Sequence, residues 1–592
     1  MAAVNMPDGR SNAEAVGELY AQLQVRWPGA AQLDASELKR RFPSRKGLVA
    51  AWRVPGAMPD PQEVLLVSVD GQFPWTLPRI ALAEPTNGIS YPHVEADGQI
   101  CVAPTSAVYE IPVGIRHVEA LIGDTAALLA QGSAGTNDDD FFAEAHSYWG
   151  LIAPAAGSFL LIHRPPTRHA LLAAADCGAH VVVGESKPAV EAWAQRAQQR
   201  IGPPEQALLL ALDAPLHPRD YPLTPRNLVV FAERVGASQV LQAAVKKWTF
   251  KAPLRVVISF PHSGQRVYLG GEIQSPSTVR LPGSREPGIR GFRPKPRTAT
   301  ARLVAMSQNP SRFRHWRAVP IYRSFLRERT AGGGAAPLER CHVVVIGCGA
   351  LGGQLAVQLA QAGIGRLTLL DNDVLDWRNV GRHVLDGASV GKNKALALKE
   401  AILRRFPDSE VDAFARSWEE HFALAPEVFD QADLIISATA EPASNLHLDQ
   451  LSKSCEVAPV VFGWMEPFAV SAHAVFRHPA GPGLADLVDE CGLLLEPIVD
   501  RETAPALPRE PSCGAFFQPY SSLSALACVG LVGEMAVDSL LGRVPGSTTR
   551  TWVGPASAFH DNGLSITPVW HERLNRQGFS RIYDRLILEV PT

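Results

Sequence analysis

Eight cysteines in 592 residues are too few and too scattered for a disulfide scaffold, and none forms the CxxC pair of a structural zinc site. They point to a reducing, cytoplasmic setting. Positive charge is not in excess either: 56 Lys and Arg stand against 59 Asp and Glu, a net charge of −3, so neither nucleic acid nor an anionic membrane is an expected partner. Long apolar runs are missing. The longest uncharged stretch, Pro511 to Gly533, is interrupted by Gln518, Pro519, Tyr520 and four serines and ends at Glu534, poor material for a membrane span. The first residues hold Asp8 and Glu14 and no apolar core, so no secretory signal is expected.

What is present is ordinary globular material, 46% hydrophobic and 19% charged, in a chain long enough for several folding units. Three blocks are expected. Residues 11–155 open with a helical pattern over Ala13 to Leu23, continue through strand-like runs at Leu48 to Val54 and Val64 to Val69, and read as a small α+β domain. Residues 156–330 mix strand-like runs, among them Phe159 to Ile162 and Asn227 to Phe231, with helical ones, and read as a linker or support domain of uncertain fold. Residues 331–592 alternate strands and helices, the pattern of an α/β, Rossmann-like domain, and finish in a short tail.

The clearest local pattern is in this third block. An apolar strand, Val343 to Ile346, runs into Gly347-x-Gly349-x-x-Gly352 and then a helix, so backbone N–H groups and a helix N-terminus are offered to phosphate. A second strand, Arg366 to Leu370, ends in Asp371, placed for a ribose hydroxyl. Asn379-x-x-Arg382 and Gly391-x-x-Lys394 then supply an amide and two cations. A hydride-transfer enzyme has no use for two cations aimed at phosphate, whereas attack of a carboxylate on an α-phosphate builds charge that they stabilise. Together these motifs resemble the adenylation (ThiF-type) domain shared by ubiquitin-activating enzymes and the molybdopterin- and thiamine-pathway adenylating enzymes. The resemblance implies ATP as cofactor, Asp371 on the ribose, Arg382 and Lys394 on the triphosphate, and Asn379 orienting it. Where that family has a Thr-Asp pair for magnesium, this chain has Thr439-Ala440, leaving Glu441 or Asp373 as the expected Mg2+ ligand.

Two thiols are candidate nucleophiles. Cys513 lies in a Pro/Ser/Gly loop before an apolar helix from about Ser521, where activating enzymes carry the cysteine that forms a thioester. Cys528 reads as a core residue, Cys491 sits beside Asp489 and Glu490, and Cys348 lies inside the glycine turn. In the first block, the extended stretch Phe73 to Leu82, then Tyr91-Pro92-His93-Val94, a turn at Ala96-Asp97-Gly98 and Cys101 resemble the ubiquitin-conjugating fold. That resemblance makes Cys101 the conjugating nucleophile. His93 replaces the family's Asn, as an oxyanion donor, an acceptor of the amine proton, or a residue that only holds the loop.

Taken together, the chain resembles the bacterial conjugating–activating fusions encoded beside the cyclic-oligonucleotide synthases of CBASS antiviral operons. This implies activation of a protein C-terminus, transfer through Cys513 and Cys101, a target amine such as a lysine, and a homodimer. A separate ubiquitin-like protein as substrate, or adenylation for sulfur transfer, are the alternatives.

Overall fold

In the computed structural model the first helix, Asn12–Arg26, starts at Ser11, whose hydroxyl accepts from the Glu14 N–H while the Glu14 carboxylate accepts from the Ser11 N–H. The structure describes residues 11–586 apart from 44, 46, 61–62, 85–90, 96, 103–111, 152–156, 249–251, 275–298, 309–312, 328–334, 455–456, 480, 490–494, 501, 503–518 and 579–580. They fall into two compact units, Met1–Val190 with Gly202–Val319, and Glu191–Ile201 with Pro320–Thr592.

The first unit begins with an antiparallel sheet of β1 (Ala31–Gln32), β2 (Leu48–Val54), β3 (Leu65–Asp70), β4 (Arg79–Leu82) and β5 (Gln99–Ile100), in that spatial order. Trp52, Leu65, Val67 and Ile80 face Leu19 and Leu23 of the first helix and Val118 and Ile122 of the helix Ile115–Ala134. Burial of each such side chain contributes about 1.5–3 kcal/mol. The alternate residues Ala51, Leu66 and Ala81 pack with Phe42 on the other face. The stretch expected to be extended from Phe73 is strand only from Arg79, because the carboxylate of Asp70 gathers a turn, accepting from the Gln72 N–H and the Thr76 hydroxyl.

The same unit continues as a closed barrel of β6 (Ser158–Leu161), β7 (Ala170–Cys177), β8 (His180–Gly184), β9 (Glu205–Ala211), β10 (Leu254–His262), β11 (Gln265–Ile273) and β12 (Arg314–Pro320). Parallel pairing of β9 with β10 completes it and removes its edges. Alternation sorts the residues: Leu209 and Val257 join Phe159 and Tyr268 in one cluster, while Leu208, Leu210, Val256 and Ile258 join Leu228, Phe231 and Leu241 in another. The run Asn227 to Phe231, expected as a strand, lies in the helix Pro225–Arg234. Thr224 caps that helix by accepting from the Asn227 N–H, Pro225 opens it, and Leu228, Phe231 and Ala232 have helical spacing toward the core, which overrides the β-branched residues between them.

The second unit carries an eight-stranded sheet of β13 (His342–Ile346), β14 (Arg366–Leu370), β15 (Glu410–Phe414), β16 (Leu434–Ser437), β17 (Val460–Met465), β18 (Ser471–Arg477), β19 (Thr548–Val553) and β20 (Arg581–Leu586). Its order is β15-β14-β13-β16-β17-β18-β19-β20, parallel through β17 and antiparallel beyond. β13 sits between β14 and β16, so the crossovers diverge from its carboxyl end, the crevice where open α/β sheets bind ligands. The helix Ser522–Leu540 is long and apolar enough to cross a membrane by length and composition, yet Ala525, Cys528, Val532 and Met535 are buried, and Cys528, Val532 and Met535 belong to the core cluster that holds Leu351 and Leu355 of the helix Ala350–Ala362.

Candidate active site

At the end of β13 the chain turns through Gly347 at φ +82°, and Gly352 comes so close to the Gly347 carbonyl that any side chain there would collide with it. The helix Ala350–Ala362 begins at Gly349 with no side chain capping its N–H groups, and the space over Gly349 is open. That combination fits a phosphate group. Asp371, at the end of β14, is turned onto this loop: its carboxylate accepts from the Cys348 N–H at 2.6 Å and the Asp373 N–H at 2.8 Å. Lys394 is largely buried, with its ammonium 2.8 Å from the Asp373 carboxylate. Arg382 donates to the Arg378 carbonyl at 3.3 Å and lies over the Tyr520 ring. Asn379 is occupied locally, its side-chain oxygen accepting from the Asp376 N–H.

Three supports carried no sequence motif. Asn393 donates to the carbonyls of Asp371 and Asp373 at 2.8 and 3.0 Å and accepts from the Leu396 N–H, so one amide pins the end of β14 and caps the helix that begins with Lys394. The second is His383, buried beside the turn. Its Nδ1 accepts from the Leu385 N–H, which leaves the proton on Nε2 to donate to the Cys348 carbonyl at 2.7 Å. Burial holds its pKa below the ordinary value. Tyr520 is the third, and only its position seven residues after Cys513 could have drawn attention to it.

The expected metal ligands are not gathered. Among the described residues no three His, Cys, Asp or Glu side chains come together, Asp373 is paired with Lys394, and Glu441 is exposed at the start of the helix Pro442–Lys453. Ala440, in the place of the family's Asp, has a left-handed backbone at φ +57°.

In the other unit Cys101 follows β5 directly and is exposed, and its N–H donates to the His93 carbonyl at 2.9 Å. His93 is left-handed at φ +62°, with its N–H donating to the Tyr148 hydroxyl at 2.6 Å. Its Nε2 is 3.2 Å from Asp140 and its Nδ1 is 3.2 Å from Glu144. With both ring nitrogens against carboxylates, the imidazole aims no donor at the thiol, and the oxyanion role expected for His93 has no support in this arrangement. Partial burial, then the charges of Glu144 and Glu95, push the Cys101 thiol pKa up.

Cys513 and Cys491 lie outside the described residues. Burial pushes Cys528 up to about 12, and it holds Cys348 well above its usual range, so both are structural thiols.

Two family models match the chain. Residues 324–536 match the ThiF family and residues 24–156 match Prokaryotic E2 family B. The class so defined is a bacterial fusion of an E2-like domain with a ThiF-type domain, the latter Rossmann-like. Among individual relatives, the chain is 33% identical over 156 residues to the ATP-dependent ubiquitin transferase-like protein Cap2 of Enterobacter hormaechei, covering 26% of this chain and 25% of that protein. It is 42% identical over 92 residues to the adenylyltransferase and sulfurtransferase MOCS3 of Mus musculus, covering 15% of this chain and 20% of that one. A crystal structure of E. coli MccB with ATP is 18% identical, with a TM-score of 0.29 over 41% of this chain and 70% of that chain. The alignments with these two curated relatives thus span a quarter or less of their length.

Proposed function

We propose that the chain activates a protein's C-terminal carboxylate with ATP and passes it to an amine. Three working parts, 11–155, 156–330 and 331–592, divide the labour as conjugating domain, support and adenylating domain. The single observation that carries this reading is the pairing, in one chain, of a bare glycine turn flanked by Asp371, Arg382 and Lys394 with an exposed thiol, Cys101, at the end of an E2-like sheet.

The substrate carboxylate attacks the α-phosphate of ATP and pyrophosphate leaves, with Lys394 and Arg382 turning from Asp373 and Tyr520 to the phosphates. Asp371 holds the ribose and Asn379 the phosphate chain. Asp373 or Glu441 would hold a magnesium ion brought in by the triphosphate, and the ion would supply charge neutralisation there. The sulfur of Cys513 then displaces AMP to form a thioester. Transthiolation moves the acyl group to Cys101, and an amine such as a lysine takes it. In this reading the activated C-terminus belongs to a cyclic-oligonucleotide synthase of a CBASS antiviral operon, the adenylating domains pair two-fold, and the chain works in the cytoplasm.

Similarity to adenylyltransferase–sulfurtransferases keeps a second reading, adenylation for sulfur transfer with the first block as a binding module. Incubation of a tagged synthase with Mg-ATP and either wild type or Cys101→Ala separates them. Conjugation lost in Cys101→Ala supports the proposal, and conjugation unchanged supports the rival.

A further inference from the structure

Tyr148 lies in the short helix Ala145–Leu151, its ring fully buried and edge-on to Phe141 at 5.2 Å, while its hydroxyl reaches the surroundings of Cys101. The hydroxyl performs two tasks at once. It accepts from the His93 N–H at 2.6 Å and donates to the Glu144 carboxylate at 3.1 Å. The first bond supports a histidine backbone in the left-handed region, which a β-carbon disfavours, and the same histidine's carbonyl receives the Cys101 N–H. The second fixes one oxygen of Glu144 while the other faces His93 Nδ1 at 3.2 Å. Asp140 closes the group from the far side of the ring.

The residue after Tyr148 ties this helix to the barrel. Trp149 is buried, and its indole N–H is shared between the carbonyls of Gly270 in β11 and Trp316 in β12, both at 2.9 Å. Its ring meets Tyr221 and His315 edge-on at 4.8 and 4.4 Å. The barrel therefore grips one side of the helix while Tyr148, on the other, holds Glu144 and the His93 N–H.

We propose that Tyr148, braced through Trp149 by the barrel, is a positioning residue for the amine step, holding the Glu144 carboxylate where it receives the proton of the attacking amine. The inference rests on Cys101 being the conjugating nucleophile and deepens that reading. In the step, the amine nitrogen attacks the thioester carbon on Cys101. A C–N bond forms as the C–S bond breaks, the electron pair leaves with sulfur, and the proton lost by nitrogen passes to Glu144 and on to solvent. Attack by a thiolate needs no such proton acceptor, so the two nucleophiles report differently on the same site. Glu144 Oε1 is 3.2 Å from the His93 ring, and the His93 carbonyl accepts from the Cys101 N–H at 2.9 Å, so a single residue links the carboxylate to the nucleophile.

The test uses the full chain, charged at Cys101 by exchange with a glycine-ended peptide thioester, with the site verified by peptide mapping. The charged protein is chased with free L-lysine or with 2-mercaptoethanesulfonate. Tyr148→Phe, which keeps the buried ring, is expected to lower the ratio of lysine to thiol discharge roughly tenfold or more, and Glu144→Gln to do the same with no further loss in the double variant. A ratio unchanged in Tyr148→Phe, or lysine and thiol discharge falling together, overturns the proposal. A wild-type chain that accepts the acyl group on Cys101 and passes none to lysine overturns the conjugating reading itself, and this inference with it.

Discussion

The Arg382 guanidinium lies 5.8 Å from the centre of the Tyr520 ring, a cation–π contact that joins the Asn379-x-x-Arg382 motif to the first residues after the segment carrying Cys513. The other end of that segment is also anchored. Buried Glu466 accepts from the N–H groups of Ile498 and Val499 at 2.9 and 2.7 Å and pairs with His473 at 2.8 Å. One flank of that segment thus meets Arg382 and the other meets Glu466, between β17 and β18.

Tyr520 pre-positions Arg382, and a cation–π contact at a partly exposed site contributes about 0.5–1 kcal/mol. Tyr520→Ala is therefore expected to weaken Mg-ATP binding about two- to fivefold in titration calorimetry. Equal affinities for Tyr520→Ala and wild type would remove this role.

Lys394 sits in a largely buried position with Asp373 as its only carboxylate neighbour within ion-pair distance among the described residues. Lys394→Ala is expected to reduce pyrophosphate release in the presence of the substrate carboxylate by about 10²–10³, the loss typical of a preorganised charge at a reacting phosphate. A variant within twofold of wild type would place the phosphates elsewhere.

Glu144 raises the Cys101 pKa, so removing its charge shifts the thiol the other way. In Glu144→Gln the pH curve for iodoacetamide alkylation of Cys101 moves to lower pH, and alkylation at neutral pH is faster. An unmoved curve, read peptide by peptide in a mass spectrometer, would separate the carboxylate from the thiol.

His315, buried against Trp149 and Phe313, has its pKa lowered by burial from 6.5 to about 4. The folded barrel prefers the neutral ring, so this contribution is complete above pH 6.5 and is lost as pH falls toward 4, about 3 kcal/mol across that window. Hydrogen-exchange protection of β11 and β12, corrected for intrinsic rates, should drop roughly tenfold or more between pH 7 and 5, and His315→Gln should lose that dependence.

The glycine turn of the candidate nucleotide site was legible in the sequence because its parts are local. A strand, a glycine turn and a helix follow one another between His342 and Ala362, and Arg366 to Leu370 appears as the strand the pattern predicts. The barrel was not legible. Its closure depends on pairing β9 with β10 and β6 with β8, contacts that no short-range pattern encodes, and an apolar run such as Asn227 to Phe231 fits helix and strand equally until Thr224 and Pro225 are recognised as a helix start. The same holds for Asn393, His383 and Tyr148. Each acts on residues brought near by the fold, so each looked like an ordinary polar residue in the chain. Ala440 was visible as a departure, but its left-handed backbone was not.

The most direct measurement is a non-reducing gel of wild type, Cys513→Ala and Cys101→Ala after incubation with a tagged cyclic-oligonucleotide synthase and Mg-ATP. The relay predicts no thioester in Cys513→Ala, one thioester on Cys513 and no conjugate in Cys101→Ala, and conjugate in wild type. Thioester persisting in Cys513→Ala, or conjugate persisting in Cys101→Ala, would contradict it.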